Sequence, residues 1–559
     1  MLSEVVSFLV GLCIVSSIAW TALRHHVKKT TMVFSHFELL RTKRNGKKVE
    51  GTAVIAGGSI SGYATARILS DYFTQVVIIE PDHRIERTAT RVAQRGHIHF
   101  PLPMTIIICR ALYQGFDEAV RRMGYKIRPS FRRLIFGSLW NWRSTATHPG
   151  LEYHRVQLEE VFRELAASYV GDSLEVIQGT VTNLHTPPAP QSASISAVSY
   201  RPSMESAETV TLPCVFFADC SGANAIASKL LPQAAADHSK PNSTTTAIVP
   251  HWGPYTRHSY SPNAVYRCFY VPVKGEKLKS RIAKLVPRND PNWGNWDELT
   301  LLYFQLPMFD VGGCGKGPRE GIIIEKVFDN EVLMNYIGVG DVTPPSNLAQ
   351  LDQIFRDTHE ELFKLNPALQ DISLWVYELF DLFRESQVDD EIQILPAKLS
   401  TSWYIDYLSA PTPNNFVAVG DSVMFVNPLF AQGMMKALGS VAVLNTALHR
   451  HITDSTNDAN VASLPISRSY FELANQICIP IYDLNRSLDF GFLSSTPQEG
   501  DTLEYGARFR AYWKYLNQAS QKNTMVANTL DGVVHGVRPG VDLFNPIIVA
   551  RVLWERLLG

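Results

Sequence analysis

The chain has no CxxC pair. Its seven cysteines (Cys13, Cys109, Cys214, Cys220, Cys268, Cys314 and Cys478) are odd in number and widely spread. That distribution excludes a disulfide framework and supplies no zinc-ligand spacing, so the thiols read as free in a reducing compartment, with no metal site. Net charge is nearly absent as well, a formal -1 over 559 residues, which leaves no electrostatic footprint for DNA or RNA. Internal repeats and long low-complexity segments are also missing. What is there, 45% hydrophobic and 19% charged residues, is the profile of a globular chain long enough for two or more domains.

One long uncharged run, Val5 to Leu23, approaches the roughly 20 residues that cross a bilayer as a helix. Arg24, Lys28, Lys29, Arg41, Lys43 and Arg44 follow it, whereas Glu4 is the one charged side chain before it. By the positive-inside bias this predicts a single-pass membrane anchor over 1–29, a polar linker over 30–50, and a bulk facing the cytosol, as at the endoplasmic reticulum.

The organising stretch is Gly51 to Asp82, GTAVIAGGSISGYATARILSDYFTQVVIIEPD. Ala53–Ala56 and Val76–Ile79 are short apolar runs that suit buried parallel strands, with a tight turn at Gly57–Gly62 and a helix over Tyr63–Tyr72 between them. This is the layout of a dinucleotide site. Gly57 and Gly62 let the backbone approach a pyrophosphate at a helix N-terminus, and Glu80, at about the 20-residue distance of the fingerprint, accepts from a ribose. Ser59 stands where GxGxxG has its second glycine.

Two later segments repeat the design. Val215–Leu230 carries Asp219 and the turn Ser221-Gly222-Ala223; Phe416–Leu438 carries Gly420-Asp421, then Pro428, Gly433 and Met434 before a helix. Asp421 at a strand end suits a ribitol or ribose hydroxyl, and Gly433 and Met434 would set helix N–H groups beside a ring system. His83–Phe100 is rich in arginine (Arg84, Arg87, Arg91, Arg95), as a loop that meets a pyrophosphate or as a solvated surface. His97 and His99 lack acidic or cysteine neighbours that would make them metal ligands. An amphipathic helix is predicted over Leu151–Ala167, with Arg155 near its start.

GGSISG with Glu80, Arg155, FADCSGAN and VGDSVMFVNPLFAQGM together resemble the flavoprotein monooxygenases of the aromatic hydroxylase and squalene epoxidase type, over roughly residues 50 to 450. The resemblance implies an α/β fold: a Rossmann-like, three-layer FAD/NAD(P)-binding domain formed by 51–250 and 404–450, an inserted substrate-binding β-sheet domain at 251–403, and a helical region at 451–559. It implies cofactor contacts at Gly57, Ser59, Gly62, Glu80, Arg91, Arg155, Asp219, Gly222, Gly420, Asp421, Pro428, Gly433 and Met434. No catalytic residue is nominated, because the cofactor carries the chemistry.

The implied activity is that FAD, reduced by NADPH or NADH, reacts with O2 to a flavin hydroperoxide and hydroxylates or epoxidises a lipophilic small molecule such as a terpenoid or polyketide. Alternatives are a reductase, dehydrogenase or halogenase on the same fold, or a non-catalytic flavin-binding protein. Two departures from the family bear on these. Cys220 and Ser221 separate Asp219 from Gly222, and Trp140-Asn141-Trp142 echoes the halogenase Trp-x-Trp-x-Ile-Pro stretch only in part and upstream of Arg155. Arg267–Val273, Leu301–Leu306, Gly321–Val327 and Glu331–Val339 are predicted strands, with Tyr303, Phe304, Phe309 and Tyr336 as pocket lining or sheet core. The C-terminal stretch Leu543–Leu558 reads as an amphipathic helix entered near Pro546.

Overall fold

The computed structural model describes residues 2–82, 93–128, 144–187, 193–202, 208–237, 252–285, 294–299, 302–307, 318–327, 330–365, 374–386, 388–399, 401–453 and 463–558. Its centre is a five-stranded parallel sheet in the order Phe416–Ala418, Phe216–Asp219, Val49–Ala56, Phe73–Glu80, Leu174–Gln178. Each of the three sequence motifs leaves the carboxyl end of one of these strands, and Val49–Ala56 lies in the middle, with Ala53 opposite both Val76 and Phe216. Strands covered on both faces should be continuously apolar; Ala53, Val54 and Ile55 are fully buried. Beside the sheet, the helix Ile60–Leu69 packs against both Arg155–Val170 and Gly433–His451.

A second sheet is antiparallel throughout, in the order Leu302–Gln305, Glu320–Val327, Glu331–Val339, Ala264–Pro272, Gln393–Leu399. It contains the four predicted strands and a fifth, Gln393–Leu399. One face builds its own core with the helices Glu276–Leu285, Leu348–Leu365 and Leu374–Glu385. The C-terminal region is helical, and its final helix begins at Pro546 as the sequence indicates.

Three expectations need correction. The Arg155 helix spans Arg155–Val170, not Leu151–Ala167, because His154 accepts from the Val156 amide while the Gln157 side chain accepts from the His154 amide. That reciprocal cap fixes the start, and Gly150–Glu152 pairs as a strand with Lys126–Arg128.

The predicted single-pass anchor, and with it the membrane location, is overturned: among the described residues no helix is long and apolar enough to cross a membrane. The helix Leu2–Thr31 instead turns its second half onto the protein, where Arg24 makes a two-pronged ion pair with Asp542 (2.7 and 3.0 Å). The segment expected as a polar linker is folded too. Phe37 and Leu40 are buried in the main core, and the Arg67 guanidinium donates to the Leu40 carbonyl.

Leu40→Ala tests this directly. A core leucine truncated to alanine costs about 2–5 kcal/mol, against about 0.5 kcal/mol or less for a solvated tether; chemical denaturation is expected to show the larger loss.

Candidate functional site

The three motif turns meet at one end of the parallel sheet and open into a cavity of about 1290 Å³. This exceeds the ~300–1,000 Å³ of an ordinary small-molecule pocket. Of the residues expected to contact the cofactor, Gly57, Ser59, Glu80, Arg155, Gly222, Asp421, Pro428, Gly433 and Met434 line it. Gly62, Asp219 and Gly420 do not line it, and Arg91 lies outside the described residues, as do Trp140–Trp142 and Phe309.

Two glycines are required by close approach. Gly57 has φ +106°, and a Cβ there would meet the Cys220 carbonyl oxygen at 2.3 Å; a Cβ on Gly62 would meet the Gly57 carbonyl oxygen at 2.0 Å. Gly62 therefore shapes the turn from behind. Glu80, at the end of its strand, accepts from the Gly58 amide (2.5 Å) and the Asp82 amide (2.9 Å), and burial raises its carboxyl pKa above the ordinary value. Its carboxylate is thereby fixed at the cavity wall, where the hydroxyls of a ribose would find an acceptor.

Ser59 replaces a glycine for a visible reason. Its hydroxyl donates to Glu159 (2.8 Å) and accepts from Arg155 (3.0 Å). Glu159, fully buried, also pairs with Arg155 (2.8 Å) and Arg95 (2.9 Å), and Arg95 continues to Asp82 (2.9 Å). Arg95 is thus tied inside the protein, and its guanidinium is committed to two carboxylates, not to a pyrophosphate or to solvent. Sequence reasoning missed Glu159. Its position four residues after Arg155 on one helix face was the available signal.

Asp219, expected from the sequence as a cofactor contact, is turned inward. Its carboxylate is fully buried and accepts from the Ser221 amide (2.9 Å), the Ala227 amide (2.8 Å) and the Ser422 hydroxyl (3.1 Å). It stitches the middle turn to the last one and has no face toward the cavity. Asp421 does face it, anchored by the buried Lys436 ammonium (2.6 Å) and approached by the Gln94 amide (3.4 Å). Gly420, with φ +73°, backs this turn against Ala437 and Ser61. Gly433 opens a 19-residue helix with open space where a Cβ would sit, leaving its N-terminal amides accessible to an electron-rich group.

Beyond the motifs the cavity widens into an apolar lobe. The antiparallel sheet contributes Phe304, Ile323 and Ile337, and the C-terminal region contributes Ile481, Trp513 and Phe544. Tyr303 and Tyr336 are sheet core instead, fully buried.

His97 and His99 also line the cavity. His99 Nδ1 is 2.9 Å from the His97 carbonyl oxygen, which only accepts, so Nδ1 carries the proton and Nε2 is the acceptor. Desolvation first, and the Arg155 charge second, push the His99 pKa down to about 3, so the ring is neutral. Sequence reasoning set both histidines aside as metal ligands and did not place them in the cavity wall.

The Pro428 turn is held from below by Asp489, which accepts from Asn427 (2.7 Å) and Tyr260 (2.8 Å).

No family model matches the chain, and no curated protein matches it. Among solved structures the chain is similar to the flavin-dependent brominase Bmp2, at 13% identity and a TM-score of 0.52, covering 91% of this chain and 99% of that one. It is similar as well to a flavoprotein/dehydrogenase from Cytophaga hutchinsonii, at 12% identity and a TM-score of 0.50, with 91% and 99% covered. The fold is therefore the one found in flavin-dependent enzymes. At these identities the likeness extends to the fold alone.

Two outcomes follow from the geometry. Glu159→Ala strands two buried guanidiniums, and losing one partner of a buried ion pair costs about 3–5 kcal/mol; urea unfolding should register a loss of that size. Burial pushes Asp489 up to about 7 from 3.8. A raised folded-state pKa gives stability that is full below the unfolded value and lost as pH rises, at up to about 1.4 kcal/mol per pH unit. Stability is expected to fall from about pH 4 to about pH 7 and level off above, and Asp489→Asn should flatten that slope.

Proposed function

We propose that the chain is an FAD-dependent monooxygenase, which hydroxylates or epoxidises a lipophilic small molecule using O2 and NADPH or NADH. The observation that carries this reading is the joining, in one cavity, of a dinucleotide cradle (Gly57, Glu80), a second polar end (Arg155, Asp421, Gly433) and an apolar lobe. The residues fit the cofactor: Gly57 and Gly62 allow the tight turn that no Cβ would permit, Gly433 leaves open space at its helix N-terminus, and Glu80 is an acceptor held at the cavity wall.

Glu80 would hold the adenosine ribose, the turn amides after Gly57 the pyrophosphate, Asp421 the ribityl chain, and the amides at Gly433 and Met434 the edge of the ring. Bound FAD would supply electron transfer and oxygen activation. The protein's part is to orient and to keep water out: Arg155 is fixed by Glu159 and Ser59, while Phe304, Ile323, Trp513 and Phe544 exclude water from the apolar lobe. The neutral His99, with Nε2 as acceptor, is set to receive a hydrogen bond from a hydroxyl of the substrate.

The purified protein is expected to show a bound-flavin absorption spectrum that bleaches on anaerobic addition of NADPH and recovers in air. Glu80→Ala and Asp421→Ala should each release flavin while leaving far-UV circular dichroism unchanged. Folded wild-type protein with no flavin would overturn the site assignment. Flavin that NADPH does not reduce would turn the reading toward another electron donor. Incorporation of label from 18O2 into product then separates oxygen insertion from dehydrogenation.

A further inference from the structure

Away from the cavity, on its outer C-terminal wall, three side chains from the two halves of the chain converge: His148, Asp531 and His535. Their ligand atoms all lie within 4.8 Å of one another. His148 Nε2 is 3.2 Å from Asp531 Oδ2, and His535 Nδ1 is 3.3 Å from the same oxygen. Ligand bonds of about 2.0–2.2 Å in a tetrahedral shell put neighbouring donor atoms about 3.3 Å apart, so two edges of the triangle already have the spacing of a metal shell.

A second observation agrees. His148 Nε2 is buried and makes no hydrogen bond, despite its closeness to Asp531. A buried imidazole nitrogen left unsatisfied beside a carboxylate calls for a partner, and a metal ion would supply it. The scaffold is firm: Asp531 and His535 stand one turn apart, at the end of the helix Thr524–Val534 and just past it. His148 is carried by an extended segment that is docked on the same helix through Ser144 and Thr145 to Asn528 (3.1 and 2.8 Å). Asp531 and His535 are deeply buried, whereas His148 retains 19% side-chain exposure, leaving a way in for a water as fourth ligand.

We infer that His148, Asp531 and His535 form a binding site for one divalent transition-metal ion of the zinc or cobalt kind. Two imidazoles and one carboxylate favour such ions over magnesium or calcium, which prefer all-oxygen shells. The role is structural. The ion clamps the segment that leads through His154 into the Arg155 helix onto the helix whose Val533 and Val534 line the apolar lobe. This proposal departs from the sequence expectation of a chain without a metal site.

The test is a Co2+ titration of the full-length protein after dialysis against a chelator, followed in the visible ligand-field region, with Zn2+ as competitor. One equivalent of Co2+ should bind and be displaced by Zn2+, and Zn2+ should raise the thermal midpoint. His148→Ala and Asp531→Asn should each weaken Co2+ binding by about tenfold or more. Wild-type protein that develops no ligand-field band, or variants that bind as the wild type does, would overturn the site; the wild-type titration decides even if a variant fails to fold.

Discussion

The carboxylate of Glu159 is the constraint on which the site depends. It is fully buried, and Arg155, Arg95 and Ser59 all close on it. A buried guanidinium without its partner is strongly destabilising, so these groups have one arrangement. That arrangement joins the first glycine-rich turn, the segment around Arg95 and the helix that begins at Arg155. Through Asp82, which pairs with Arg95 and donates its amide to Glu80, the same network reaches the strand end at the cavity wall. The two polar ends of the cavity are therefore positioned by one set of charges.

Seen this way, the acidic residues in and behind the motif turns divide by task. Glu80 and Asp421 face the cavity, each braced by a neighbour. Asp219 points inward and satisfies the amides of its own turn and the Ser422 hydroxyl, while Asp489, from a later helix, satisfies Asn427 and Tyr260 behind the Pro428 turn. Turns at the ends of buried parallel strands contain polar backbone groups that water cannot reach, and an unmet group there is costly. Cys220 and Ser221, inserted between Asp219 and Gly222, are compatible with this inward role: the Ser221 amide is one of the bonds Asp219 accepts.

How much was legible follows from the range of each interaction. The strand, turn, helix, strand unit from Val49 to Glu80 was readable because its signals lie within about 30 residues, and the antiparallel strands carried apolar runs of their own. The start of the Arg155 helix was misplaced because a histidine cap overrode the apolar periodicity. The Val5–Leu23 run was read by composition, which cannot register that Arg24 has a buried carboxylate waiting near the other end of the chain. Ser59 looked like a defect because its partners, Arg155 and Glu159, are distant in sequence. His148 and His535 carry no local signal at all, since the fold alone brings them together.

The outer part of the cavity is where this distance matters most. Its apolar wall includes Met32 and Val33 from the N-terminal segment and Leu543 and Phe544 from the C-terminal one. Arg24, on the helix that leads to the first pair, binds Asp542, which adjoins the second. The polar ends of the cavity are thus set by residues close to the central sheet, while both terminal segments contribute to the wall of the lobe. Changes to the terminal segments can then alter which apolar molecule fits without disturbing Glu80, Arg155 or Asp421.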